Sequence, residues 1–111
     1  MNKKRLFGLK KLTESGLFDH LVSLAGAKVI ILFGSFARSD WYRQSDIDIF
    51  IYGDDDNFEQ GKYELKLNRE IQVHNARNRS DLKKMANLLP HIISGIFIKG
   101  SISDLGVTIS A

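Results

Sequence analysis

The stretch ILFGSFARSDWYRQSDIDIF, Ile31 to Phe50, decides the fold. An apolar run ends in Gly34-Ser35, Arg38 follows, and Asp46 and Asp48 stand one residue apart at the head of a second apolar run. KVIILF, Lys28 to Phe33, is continuous and rich in β-branched residues, which predicts a strand buried on both faces. DIDIFIY, Asp46 to Tyr52, predicts a second strand. Side chains two apart on a strand share a face, so Asp46, Asp48, Phe50 and Tyr52 point one way and Ile47, Ile49 and Ile51 the other. The two carboxylates then lie about 7 Å apart along the strand, from a rise of about 3.3 Å per residue. Such charges repel unless a cation sits between them. Mg²⁺ suits the pattern, because it binds one or two carboxylates and keeps positions open for phosphate oxygens.

The Gly34-Ser35 turn supplies the other half of the pattern. Glycine lets the backbone approach a ligand, and exposed N–H groups at a turn or helix start favour anions. The Ser35 hydroxyl can donate to a phosphate oxygen, and Arg38 adds positive charge nearby. Taken singly, a Gly-Ser turn is usually just a turn, and Asp-x-Asp is often a solvated strand end. Their order and spacing together make the pattern specific.

Working outward, Lys3 to Leu12 predicts a short helix with Leu6, Leu9 and Leu12 inward. Leu17, Phe18, Leu21, Val22, Leu24 and Ala25 keep helical spacing, with Gly26 as the C-terminal cap. Phe36 to Trp41 begins a short helix, and Phe58 to Asn68 forms a helix or a linker. EIQVHN, Glu70 to Asn75, predicts a third strand. One helix is expected over Asp81 to Ile93, capped by Ser80 and kinked or ended at Pro90. Gly95 closes it, Ile96 to Ile98 forms a short strand, and GVTIS near the C-terminus is a candidate edge strand. The pattern is α/β or α+β, a small mixed β-sheet flanked by helices.

Composition bounds the function. At 111 residues the chain is expected to be a single domain, residues 1–111, with an N-terminal helical segment over 1–26 and a core over 27–99. The absence of cysteine excludes disulfides and thiolate metal sites. No apolar run is long enough to span a bilayer and no signal peptide is visible, so the expected location is cytoplasmic, with no membrane partner. The net charge of +3 suits a phosphate-bearing partner and equally suits a solvated basic surface. Lys3, Lys4, Arg5, Lys10 and Lys11 fit nucleic-acid contact or, with greater weight, a solvated helix.

LFGSFARSDWYRQSDIDIFI resembles the signature of the minimal nucleotidyltransferases of the DNA-polymerase-β superfamily. That signature is an apolar strand, Gly-Ser, a small residue and Arg, then Ser-Asp-x-Asp opening a second apolar strand. The resemblance covers roughly Ala27 to Lys99, where GIFIKG is similar to the closing Gly and strand. It implies a polymerase-β-like nucleotidyltransferase fold, Mg²⁺ as cofactor, and transfer of a nucleoside monophosphate from a triphosphate, such as AMP from ATP, to a hydroxyl. Carried over, it gives Gly34 and Ser35 the β/γ-phosphates, Asp46 and Asp48 one or two Mg²⁺ ions, Arg38 a supporting role at the loop or phosphates, and Ser45 its place before the first aspartate.

The chain departs from the signature on the third strand. A third carboxylate is usual there, and the aligned residue is Gln72. An amide is a poor metal ligand and no general base. Glu70 and His74 flank Gln72 on the same strand face. Glu70 joins Asp46 and Asp48 as a candidate catalytic residue or is a surface charge; His74 reads as a structural or surface histidine rather than a ligand. Two functions follow. One is a nucleotidyltransferase acting on a hydroxyl acceptor; many such domains resemble the antitoxin half of two-gene modules and modify a small helical toxin. The other is a nucleotide-binding or partner-binding module that has lost turnover. With no added helical domain for nucleic acid, a pocket completed by a partner or a second copy is expected, and Trp41, Tyr42 and Phe58 are candidate contacts or simply core.

Overall fold

The computed structural model describes residues 3–34 and 46–106, with side chains from residue 8 onward. Ser35, Arg38, Trp41, Tyr42, Ser45, the expected helix at Phe36 to Trp41 and the GVTIS strand after Gly106 lie outside the described residues. Four strands form one mixed sheet: β1 (Ala27–Phe33), β2 (Ile47–Gly53), β3 (Ile71–Ala76) and β4 (Ile96–Lys99). Their order is β3-β2-β1-β4, with β1 antiparallel to both β2 and β4, and β2 parallel to β3. The parallel pair needs a crossover, and helix α3 (Gln60–Leu67) provides it.

Both faces of the sheet are covered, which explains the unbroken apolar reading of β1. On one face Ile30, Leu32, Ile47, Ile49, Ile51 and Ile71 pack with Leu12, Leu17, Leu21 and Tyr63. These last four come from α1 (Lys3–Ser15), α2 (Leu17–Val22) and α3. On the other face Val29, Ile31, Phe33 and Phe50 pack with Leu82, Leu89, Ile92 and Leu105. Those come from α4 (Arg79–Lys84), α5 (Leu89–Ile93) and a 3₁₀ turn at Ile102–Leu105. Phe50 is fully buried, so the strand face that begins with the aspartates turns apolar within one step. Phe58 is partly buried, packs against the first core, and its ring lies 5.7 Å from that of His20.

Helix ends differ from the sequence reading in three places. The segment expected as one helix over Asp81 to Ile93 is two helices, α4 and α5. Pro90 sits in the first turn of α5 rather than at the end of a longer helix, a place where its fixed φ and missing N–H cost nothing. The cap of α4 is Asn78, not Ser80: its Oδ1 accepts the N–H of Asp81 at 2.9 Å. Helix α2 ends at Ser23, ahead of Gly26. No helix among the described residues is long and apolar enough to cross a membrane.

Candidate active site

Antiparallel pairing sets Phe33, the last residue of β1, opposite Asp48 of β2. The chain leaves β1 at Gly34, whose φ of +82° lies in the left-handed region. A β-carbon there would lie 2.3 Å from Oδ2 of Asp48 and 3.1 Å from its Cγ. The glycine is therefore required twice, by backbone conformation and by the carboxylate packed against it. Asp46 immediately precedes β2, and both carboxylates are half-buried at the sheet's end.

The parallel neighbour completes the geometry. Gln72 of β3 is in register with Asp48, and His74 with Phe50. The Gln72 amide donates to Oδ2 of Asp46 at 3.1 Å. Nε2 of His74 lies 3.2 Å from Oδ1 of Asp48. An ionised carboxylate only accepts, so the ring nitrogen is the donor. The His74 ring also meets Phe33 edge-on, with centroids 5.0 Å apart. Each aspartate is thus gripped through one oxygen by a side chain that carries no negative charge.

Glu70 does not complete a three-acid cluster. It is exposed, and its backbone carbonyl accepts the N–H of Ile47 at 2.9 Å. It lines a shallow surface hollow with Glu64, Leu65, Asn68 and Arg69. Partial burial holds the Arg69 guanidinium below its ordinary value. Among the described residues, one group of three acids brings ligand atoms within 4.8 Å of one another, and it is Asp54, Asp55 and Asp56.

That trio lies just past the other end of β2 and already has a cation. Arg77 donates to Oδ1 of Asp56 at 2.5 Å and lies 3.8 Å from Asp54 and 3.7 Å from Asp55. The bond to Asp56, with the charge of all three acids, raises the Arg77 value above that of an ordinary guanidinium.

A family model described as a nucleotidyltransferase domain matches residues 15–104. The chain belongs to the nucleotidyltransferase domain family. Among solved structures, a crystal structure of a toxin-antitoxin with AMP-PNP is similar over 96% of this chain and 79% of that chain, with a TM-score of 0.51 and 20% identity. A mutant of the toxin-antitoxin MntA-HpeT is similar over the same shares, with a TM-score of 0.49 and 18% identity. No curated protein matches the chain. The likeness supports the mixed sheet flanked by helices as a nucleotidyltransferase fold.

As a nucleotidyltransferase domain, the chain presents a donor set that fits a divalent cation in part. The half-buried Asp46 and Asp48 carboxylates offer hard oxygen donors, the chemistry Mg²⁺ prefers, beside a glycine turn. Among the described residues, no third carboxylate stands with them. The sequence reading placed His74 on the face of Gln72 and Glu70 as a structural or surface residue, without its contact to Asp48. What it lacked was the pairing of β2 with β3, which sets His74 within reach of Asp48.

Proposed function

We propose that this chain is a Mg²⁺-dependent nucleotidyltransferase that moves a nucleoside monophosphate, AMP from ATP, to a hydroxyl on a partner protein, as the antitoxin half of a toxin-antitoxin pair. The observation that carries the reading is the Asp48 carboxylate packed against the left-handed Gly34 turn, with Asp46 beside it. The toxin-antitoxin structure with AMP-PNP, a triphosphate analogue, supports the adenine nucleotide and a protein partner.

The acceptor oxygen would bond to the α-phosphorus, the α–β bridging P–O bond would break, and pyrophosphate would leave. Asp46 and Asp48 would hold Mg²⁺, which when bound supplies neutralisation of phosphate charge and polarisation of the phosphate oxygens. Gly34 keeps the turn free of a side chain so that the β/γ-phosphates can approach the backbone. Ser35 donates to a phosphate oxygen, Arg38 adds charge there, and Ser45 leads into Asp46. Glu70, exposed and immediately before β3, would be the acid to take the acceptor's proton. The acceptor would be brought by a second chain.

A second reading is a nucleotide-binding module without turnover that neutralises its partner by contact. The in-register placement of Gln72 beside Asp48 favours it, because an amide stands where a carboxylate would serve as ligand and base. Single-turnover transfer from α-³²P-ATP to a small helical partner encoded beside this chain separates the two. Transfer by the parent that is lost in Glu70→Gln supports the enzyme. If Glu70 is idle, Gln72→Asp should raise the rate, within the roughly 10²–10⁴-fold that general-base catalysis supplies. No label from parent or Gln72→Asp contradicts the enzyme and leaves the binding module.

A further inference from the structure

The hydrogen bonds on Asp46 and Asp48 carry a consequence for how many cations this site accepts. Gln72 engages Oδ2 of Asp46, and His74 engages Oδ1 of Asp48. Oδ2 of Asp48 faces the Gly34 turn, within 2.3 Å of where a β-carbon would stand. His74 is held in turn by the edge-on Phe33 ring and by the strand register that places it one step inward from Gln72. The carboxylates are therefore oriented, each with one oxygen committed to an N–H donor.

We propose that His74 and Gln72 are the positioning residues of a two-carboxylate site that takes a single divalent cation. The inference rests on the reading of Asp46 and Asp48 as the metal site. Three arguments support it. Two carboxylates balance the charge of one divalent ion and leave a second uncompensated. One oxygen of each aspartate is not engaged by Gln72 or His74, Oδ1 of Asp46 and Oδ2 of Asp48, and one shared ion is the smallest complement that uses both. The Gln72 –NH₂ group points its partial positive charge at Asp46, which disfavours a second cation beside that oxygen. Glu70 is exposed on the neighbouring hollow and adds no charge between the aspartates. Outer partners that orient a ligating carboxylate commonly change metal affinity by about 10–100-fold when removed.

The experiment uses the full chain and Mn²⁺ alone, titrated by the loss of the free-ion EPR signal, with the spectrum of the bound ion read at saturation. The parent should bind one Mn²⁺ per chain, and Asp46→Asn/Asp48→Asn should bind none there. His74→Phe keeps a ring against Phe33 but removes the donor, and should weaken Mn²⁺ by about 10-fold or more. His74→Gln returns an N–H donor and should recover both affinity and bound-ion spectrum, which repair of packing alone would not do. Gln72→Leu, at an exposed position, provides the same test without disturbing the core, and should also weaken binding. Gln72→Asp should raise the capacity to two ions. Two ions in the parent, both lost in Asp46→Asn/Asp48→Asn, would overturn the single-ion inference and leave the metal-site reading standing. Undiminished binding in Asp46→Asn/Asp48→Asn would defeat that reading and the inference with it. Parent-like affinity in both His74→Phe and Gln72→Leu would remove the positioning roles.

Discussion

Strand β2 carries aspartates at both ends, and the two groups have opposite fates. At its start, Asp46 and Asp48 meet the uncharged amide of Gln72, the imidazole of His74 and a glycine turn. Past its end, Asp54, Asp55 and Asp56 converge on Arg77. By proximity of ligand atoms alone the trio is the better metal site. One guanidinium compensates it in part, and it does structural work. Asp54 Oδ1 accepts the N–H of Asp56 at 2.8 Å, the Asp54 N–H donates to the carbonyl of Gly26 at 2.9 Å, and Arg77 ties the loop to the end of β3. Gly53 is needed there because its φ is +119° and a β-carbon would lie 2.4 Å from the Gly26 carbonyl oxygen. The comparison teaches that closeness of acids alone does not mark a ligand site: among the described residues the trio is tied up by an arginine, whereas Asp46 and Asp48 are held by an amide and an imidazole.

The contrast can be broken in graded steps. The largest effect is expected from Gly34→Val. A branched side chain would collide with Asp48 and be held at a positive φ, which costs about 1–2 kcal/mol for a non-glycine residue. Chemical denaturation should show that loss of stability, and calorimetry should show Mg²⁺-ATP binding abolished. Binding at parent affinity would make Gly34 a turn and nothing more. Ser35→Ala should leave stability alone and weaken Mg²⁺-ATP by about 1–3 kcal/mol, the range for a lost hydrogen bond to a charged group. An unchanged isotherm would remove Ser35 from the phosphate site.

The smallest effect is expected at the other end of the strand. Arg77→Gln should lower the melting temperature slightly at low salt, and the difference should vanish at high salt, as for exposed ion pairs. Its sign with pH follows from the raised Arg77 value. The folded state favours the charged guanidinium, so the contribution is complete below the unfolded value and lost only as pH rises through the higher folded one. On the alkaline side, parent and variant curves should therefore run parallel up to the ordinary arginine range. A loss of Mg²⁺-ATP affinity in Arg77→Gln would contradict the separation of the two ends.

Much of this was legible in the sequence because strand signals were strong. The expected strands at Lys28 to Phe33, Asp46 to Tyr52 and Glu70 to Asn75 match β1, β2 and β3 within a residue at each end. Continuous apolar runs with alternating flanks leave little freedom of register. Helix ends were less legible. Asn78 and Ser80 are both good caps, and local sequence does not say which one the packing of Leu82 will select. At the site, the Gly-Ser and Asp-x-Asp spacing pointed to one end of β2. The partners of those aspartates depend on a parallel pairing made through α3, a contact with no signature in local spacing. For that reason His74 read as structural and Gln72 as a gap in the pattern, although both hold the aspartates.

The most direct test of the account is a calorimetric comparison of Mg²⁺-ATP binding by the parent, Asp46→Asn/Asp48→Asn, and Asp54→Asn/Asp55→Asn/Asp56→Asn. Loss of two ligands should exceed the roughly 10–100-fold that follows loss of an outer partner, so the first variant should show no measurable Mg²⁺-dependent binding while remaining folded. The second should lose some stability and bind like the parent. Binding that survives in the first variant and fails in the folded second would place the nucleotide at the wrong end of β2 and contradict the account.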